Sequence, residues 1–123
     1  MSNEKLFNYI TNSPYVGMLD DTDDDVCFGS AGQLGMSDVV HVYLQIQEGK
    51  IVTVRFKAHG SAETLAAAAY VAEQVQDQSV TIVNTIALES IVDVLSLSPA
   101  NKSSALLAID ALTDAVRNYH DHS

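Results

Sequence analysis

Two stretches of strict alternation constrain this chain most. Val40, Val42, Leu44 and Ile46 alternate with His41, Tyr43, Gln45 and Gln47, and Val52, Val54, Phe56 and Ala58 alternate with Thr53, Arg55 and Lys57. A period of two sends successive side chains to opposite faces, so both arms read as strands of an antiparallel hairpin with one buried and one wet face. A three-residue turn, Gln47-Glu48-Gly49, with Gly49 in the left-handed position pairs Leu44 with Val52, Val42 with Val54 and Val40 with Phe56. A two-residue turn would set Val40 against Lys57 and break the match of faces, so the register favours the longer turn. In that register His41 faces Arg55 and His59 faces Ser37. The two histidines then stand ~13 Å apart at ~3.4 Å per residue, too far to share a metal.

Elsewhere the period is helical. Leu6, Phe7 and Ile10 predict a short helix over residues 3–12, capped by Ser2 or Asn3 and broken by Ser13-Pro14. An edge strand is expected over 26–28, then a loop carrying Gly29, Gly32 and Gly35. After the hairpin, Ser61 caps a helix over 62–76 with Leu65, Ala68, Ala69, Ala72 and Val75 inward. Residues 79–83 read as a short helical turn. Thr85 caps a helix over 86–95 with Ile91, Val92 and Leu95 inward, and Ser98-Pro99 ends it. A last helix over 103–119 carries the stripe Leu106, Ile109, Leu112, Val116. This order predicts an α+β fold, a three-stranded antiparallel sheet with helices packed on one face. No repeat or linker divides the 123 residues, so residues 1–123 form one domain.

Composition narrows the function classes. Sixteen acidic and six basic side chains give a net charge of −10, which argues against nucleic acid and anionic membranes and favours a basic protein partner. The single cysteine, Cys27, excludes an internal disulfide and a multi-thiolate zinc site. The first residues carry no signal-peptide pattern and no apolar run is long enough for a membrane span, so the expected compartment is the cytoplasm. The acidic run at 20–25 lacks the glycine and glutamate of a calcium loop and reads as solvated. His120 and His122 sit on a tail, and Cys27 has no basic neighbour to activate it. Ser61 reads as a plain helix cap. The residues alone offer no convincing catalytic constellation, and the chain is expected not to be an enzyme.

The order of features resembles the U-type iron–sulfur cluster scaffolds, the family of IscU and of the N-terminal domain of NifU, with its SufE/NifU-type fold. The resemblance rests on Asn12-Ser13-Pro14 followed by Val16-Gly17-Met18-Leu19-Asp20, on 32–40 as the first cluster loop and following strand, on Glu48-Gly49-Lys50-Ile51, on Phe56-Lys57-x-x-Gly60, on Asn84-Thr85, and on 105–119 as the closing helix. It implies a cluster or zinc ion held by three cysteines and an aspartate, with a histidine added in some members. Here the chain departs. The family's Cys-Gly-Asp reads Met36-Ser37-Asp38, and its Gly-Cys-Gly-Ser reads Gly60-Ser61-Ala62-Glu63. Its His-Cys-Ser-x-Leu-Ala reads Ser103-Ser104-Ala105-Leu106-Leu107-Ala108. Asp38 alone keeps a ligand-type side chain. Hydroxyls and a thioether do not replace soft thiolates, so an iron–sulfur cluster or zinc is implied only by resemblance and no cofactor is expected. The family's Leu-Pro-Pro-Val-Lys chaperone segment is reduced to Leu97 and Pro99. The expectation is a scaffold-like protein without its cluster, acting through contacts with a cysteine desulfurase or another assembly factor. The alternative is a repurposed metal site using Asp38 with His59 or Cys27. An enzyme with Asp38 as base has no support beyond that aspartate.

Overall fold

The computed structural model describes residues 4–20, 22–32 and 37–121. Helix α1 (Glu4–Asn12) is followed by β1 (Val26–Ala31), β2 (Val39–Gln47) and β3 (Lys50–His59). The chain continues with α2 (Ala62–Val75), a 3₁₀ turn (Val80–Thr85), α3 (Leu88–Leu95), a 3₁₀ turn (Pro99–Asn101) and α4 (Lys102–Asp121). The strands form an antiparallel sheet in the order β1-β2-β3, with α2 and α4 packed on it. This is the expected α+β architecture. The caps foreseen at Ser2 or Asn3 lie outside the described residues.

The hairpin keeps the expected faces but reaches them differently. Glu48 and Gly49 form a two-residue turn with φ of 54° and 75°, the backbone that a tight hairpin favours. Gln47 pairs with Lys50 and Ile46 with Ile51, then the register shifts, so that Gln45 meets Thr53, Leu44 meets Val54, Val42 meets Phe56 and Val40 meets Ala58. The three-residue turn is therefore corrected to a shorter one plus a bulge that leaves Val52 as the extra residue. The bulge brings Ile51, fully buried, onto the core face. His41 consequently faces Lys57 and His59 faces Val39, not Arg55 and Ser37. Tyr43, expected to be wet, is buried on the outer face against the ring of Phe28, 5.0 Å away.

Four other expectations shift. Strand β1 runs on to Ala31, its last three residues pairing with Val42, His41 and Val40, and Gly29 within it lets α4 press close; a Cβ there would collide with the Ala115 nitrogen and the Ala111 carbonyl. The buried face of α4 is accordingly Ser104, Ala105, Ala108, Ala111, Leu112 and Ala115, while Leu106 is 46% exposed. Helix α2 is the central helix, buried on nearly every side from Ala66 to Ala72, with Leu65 only half-buried. Helix α3 begins at Leu88 after Ala87, and Thr85 instead closes the preceding turn by donating to the Ile82 carbonyl.

Both sheet edges are covered. Beyond β3, Val16 bridges in parallel to Phe56, and Lys50 bridges to Ser79. Beyond β1, the Ser30 N–H donates to Asp114 Oδ2 (3.0 Å) and Asn118 Nδ2 donates to the Phe28 carbonyl (2.6 Å). A sheet whose outer backbone groups are engaged does not template pairing with other chains.

Candidate functional site

The turn from β3 into α2 begins with Gly60, whose φ of +132° suits only glycine. A Cβ at Gly60 would strike the Asp38 carboxylate, so the glycine admits Asp38 from the start of β2. Ser61 then caps α2, its Oγ accepting the Thr64 N–H at 3.3 Å. The Asp38 carboxylate lies over that cap. Its Oδ2 accepts the Thr64 hydroxyl at 2.6 Å, and its Oδ1 accepts the Ser61 N–H at 3.3 Å. The Ser61 hydroxyl is 3.5 Å from Oδ2. A carboxylate here also meets the positive end of the α2 dipole.

Thr64 is fully buried and is the residue that sequence reasoning missed. Its signal was present: a hydroxyl three positions after a serine cap, in front of an alanine run, stands where it can turn back toward the cap.

Ser104 belongs to the same end of the molecule. The bonds from Ser30 to Asp114 and from Asn118 to Phe28 show α4 running antiparallel to β1. Advancing ~1.5 Å per helical residue against ~3.3 Å per strand residue sets Ser104 level with the Asp38 end of the sheet. Ser104 is buried and Ser103 exposed. Met36 lies outside the described residues.

The remaining candidates are not brought together. Cys27 pairs with Leu44, six residues along β2 from Asp38, or ~20 Å. It lies half-buried beside a cavity of about 900 Å³ lined also by Asp25, Phe28 and Tyr119. Burial first, and the charge of Asp25 second, push its thiol above the usual range, which disfavours the thiolate that metal binding needs. His59 is exposed and pairs with Val39, so alternation sends it to the face opposite Asp38. The alternative set of Asp38 with His59 or Cys27 is therefore not assembled. Of the two candidate partner contacts, Leu97 is buried in the core and Pro99 is exposed. In the acidic run, Asp20 accepts from Thr22, and Asp25 accepts from Gln47 (2.7 Å) and Gln45 (3.0 Å), bonds that hold both carboxyls below the usual range.

Among the described residues no three histidine, cysteine, aspartate or glutamate side chains stand together as metal ligands. What gathers beside Asp38 are the hydroxyls of Ser61 and Thr64. This donor set is hard, and only one member carries a charge. It does not fit an iron–sulfur cluster or a zinc thiolate site, both of which need soft anionic sulfur.

The whole chain, residues 1–123, matches the model of the NifU-like N-terminal domain. It is 30% identical over 117 residues to the iron-sulfur cluster assembly scaffold protein IscU of Escherichia coli K12, covering 94% of this chain and 91% of that one. It is also 30% identical to the mitochondrial iron sulfur cluster assembly protein 1 of Yarrowia lipolytica, of which it spans 65%. Among solved structures, the N-terminal part of a NifU-like protein from Brucella abortus superposes with a TM-score of 0.76 at 18% identity, covering 98% of this chain and 95% of that one. A putative scaffold protein for the SUF system from Fervidobacterium islandicum AW-1 gives 0.72 at 19%, covering 94% and 96%. Among the described residues no helix is long and apolar enough to cross a membrane.

Proposed function

Because the chain belongs to the NifU-like N-terminal domain family, we propose that it is a scaffold-type protein of iron–sulfur cluster assembly that no longer holds a cluster. It acts through protein contacts, as a regulator or decoy, without catalysis of its own. The observation that carries this reading is the closure of Asp38 onto Ser61 and Thr64. The aspartate that would ligate a cluster is bonded to hydroxyls and to a helix cap, and oxygen stands at two positions where the resemblance places sulfur. A thiolate there would bind a soft metal; a serine hydroxyl, far less acidic, stays protonated. The partner is a cysteine desulfurase or another assembly factor, supported by the family. The charge of −10 adds that the contacting surface is basic.

The test has two arms. The purified chain is incubated anaerobically with ferrous iron and sulfide, and the spectrum is expected to lack sulfide-to-iron charge-transfer bands after desalting. Stoichiometric iron with such bands would overturn the reading. In the second arm an immobilised cysteine desulfurase is expected to retain the chain at low salt and release it as salt screens the charges. Absence of any complex with the desulfurase leaves another assembly factor as the partner, sought by the same assay.

A further inference from the structure

A second site lies away from Asp38, where α1 crosses α2. A cleft of about 320 Å³ opens there, with Ala69 as its floor and Asn8, Tyr9, Asn12, Tyr15 and Glu73 around it. Ala69 and Glu73 sit eight and twelve residues beyond Ser61, ~12 and ~18 Å along the helix.

We propose that this cleft binds a small organic cation, a primary amine or guanidinium on a short apolar stem, with Glu73 as its counter-charge. Among the described residues Glu73 is the one carboxylate in the lining. Tyr9 donates to its Oε1 at 2.8 Å, and among the described residues no other donor reaches it. The second carboxylate oxygen is left to a ligand. Tyr9 is itself fixed, its ring edge-on to Tyr70 with centroids 5.7 Å apart. Burial first, and Glu73 second, raise its pKa, so at neutral pH it stays a neutral donor. Asn12 donates weakly to Asn8 Oδ1, at 3.4 Å, which leaves its own amide oxygen as a further acceptor. Aromatic faces, amide oxygens and one carboxylate are the groups that hold an alkylammonium or guanidinium. An anion would meet both Glu73 and a chain of charge −10. An apolar ligand would strip water from the carboxylate without replacing it.

The experiment follows backbone amide resonances at neutral pH while agmatine is added. Saturating shifts are expected at Asn8, Asn12, Tyr15 and Ala69, and succinate is expected to produce none. Glu73→Gln keeps an acceptor for Tyr9 at an exposed position, so the helix pair stays docked. It should weaken agmatine at least about tenfold, while Asp24→Asn in the acidic loop changes binding less than about twofold. Shifts confined to the acidic loop, equal losses in both variants, or shifts that never saturate would each overturn the proposal.

Discussion

A carboxylate resting on a helix cap changes the meaning of every residue that touches it. Asp38 accepts from the Ser61 N–H and the Thr64 hydroxyl, so its charge is stabilised by dipoles rather than by a cation. Asp38 and Ser61 were legible in the sequence, because a resemblance and a capping pattern each pointed at them. Thr64 left only a weak signal, a hydroxyl three positions past the cap, and its bond to Asp38 was not legible, because a buried threonine in an alanine-rich helix looks like packing until the aspartate is placed above it. The prediction at this scale is that Thr64→Val, nearly isosteric, costs about 1.5–3 kcal/mol, the range for a hydrogen bond to a charged group. Urea unfolding should show an earlier midpoint with an unchanged slope. In a double-mutant cycle with Asp38→Asn, the two losses should fall short of adding by about 1 kcal/mol or more. Strict additivity would mean that the pair is only adjacent.

At the scale of elements, the chain keeps faces more faithfully than registers. The hairpin reading placed Val40, Val42, Leu44 and Ile46 inside, and all four are buried. The turn and the bulge were not legible, because a two-residue turn plus one extra residue and a three-residue turn keep nearly the same faces. What distinguishes them is remote. Gln76, just past α2, accepts the Val54 N–H at 3.1 Å and donates to the Val52 carbonyl at 2.9 Å. It thus serves the carbonyl of the bulged residue itself and the N–H two residues beyond it. Gln76→Ala should destabilise the fold by about 1–3 kcal/mol, the cost of leaving such groups without partners. Hydrogen exchange at Val54 should quicken more than at Leu44, its neighbour on β2; equal exchange would show that Gln76 does not hold the bulge. Helix α4 teaches a related lesson. Its large apolar residues suggested a stripe through Leu106, yet the alanines face the sheet because Gly29 brings two backbones into contact. Close approach selects small residues, and hydrophobic periodicity weighted toward large ones points to the wrong face.

For the whole molecule, the element order was enough to anticipate the architecture, whereas the closure of its edges was not. Val16 on Phe56 and Lys50 on Ser79 are backbone pairings between distant segments, with no side-chain pattern to announce them. The proposed absence of a cluster can be tested on this fold. If the scaffold is intact and only its donors are gone, restoring the donors should restore the metal. The triple variant Met36→Cys, Ser61→Cys, Ser104→Cys, with Asp38 retained, presents three thiolates and a carboxylate, a set suited to tetrahedral zinc. It is expected to bind about one zinc ion per chain by elemental analysis after dialysis, while the parent chain retains less than about a tenth. Ser61→Cys weakens the α2 cap at a cost of about 1 kcal/mol, and bound metal should more than offset it, so thermal unfolding of the triple variant should rise with added zinc. A folded triple variant that binds no zinc would show that the Asp38–Thr64 bond had rebuilt the site rather than occupied it. Adding Thr64→Val to that variant separates the two cases: recovered zinc binding assigns the block to the hydroxyl, and continued failure assigns it to the backbone.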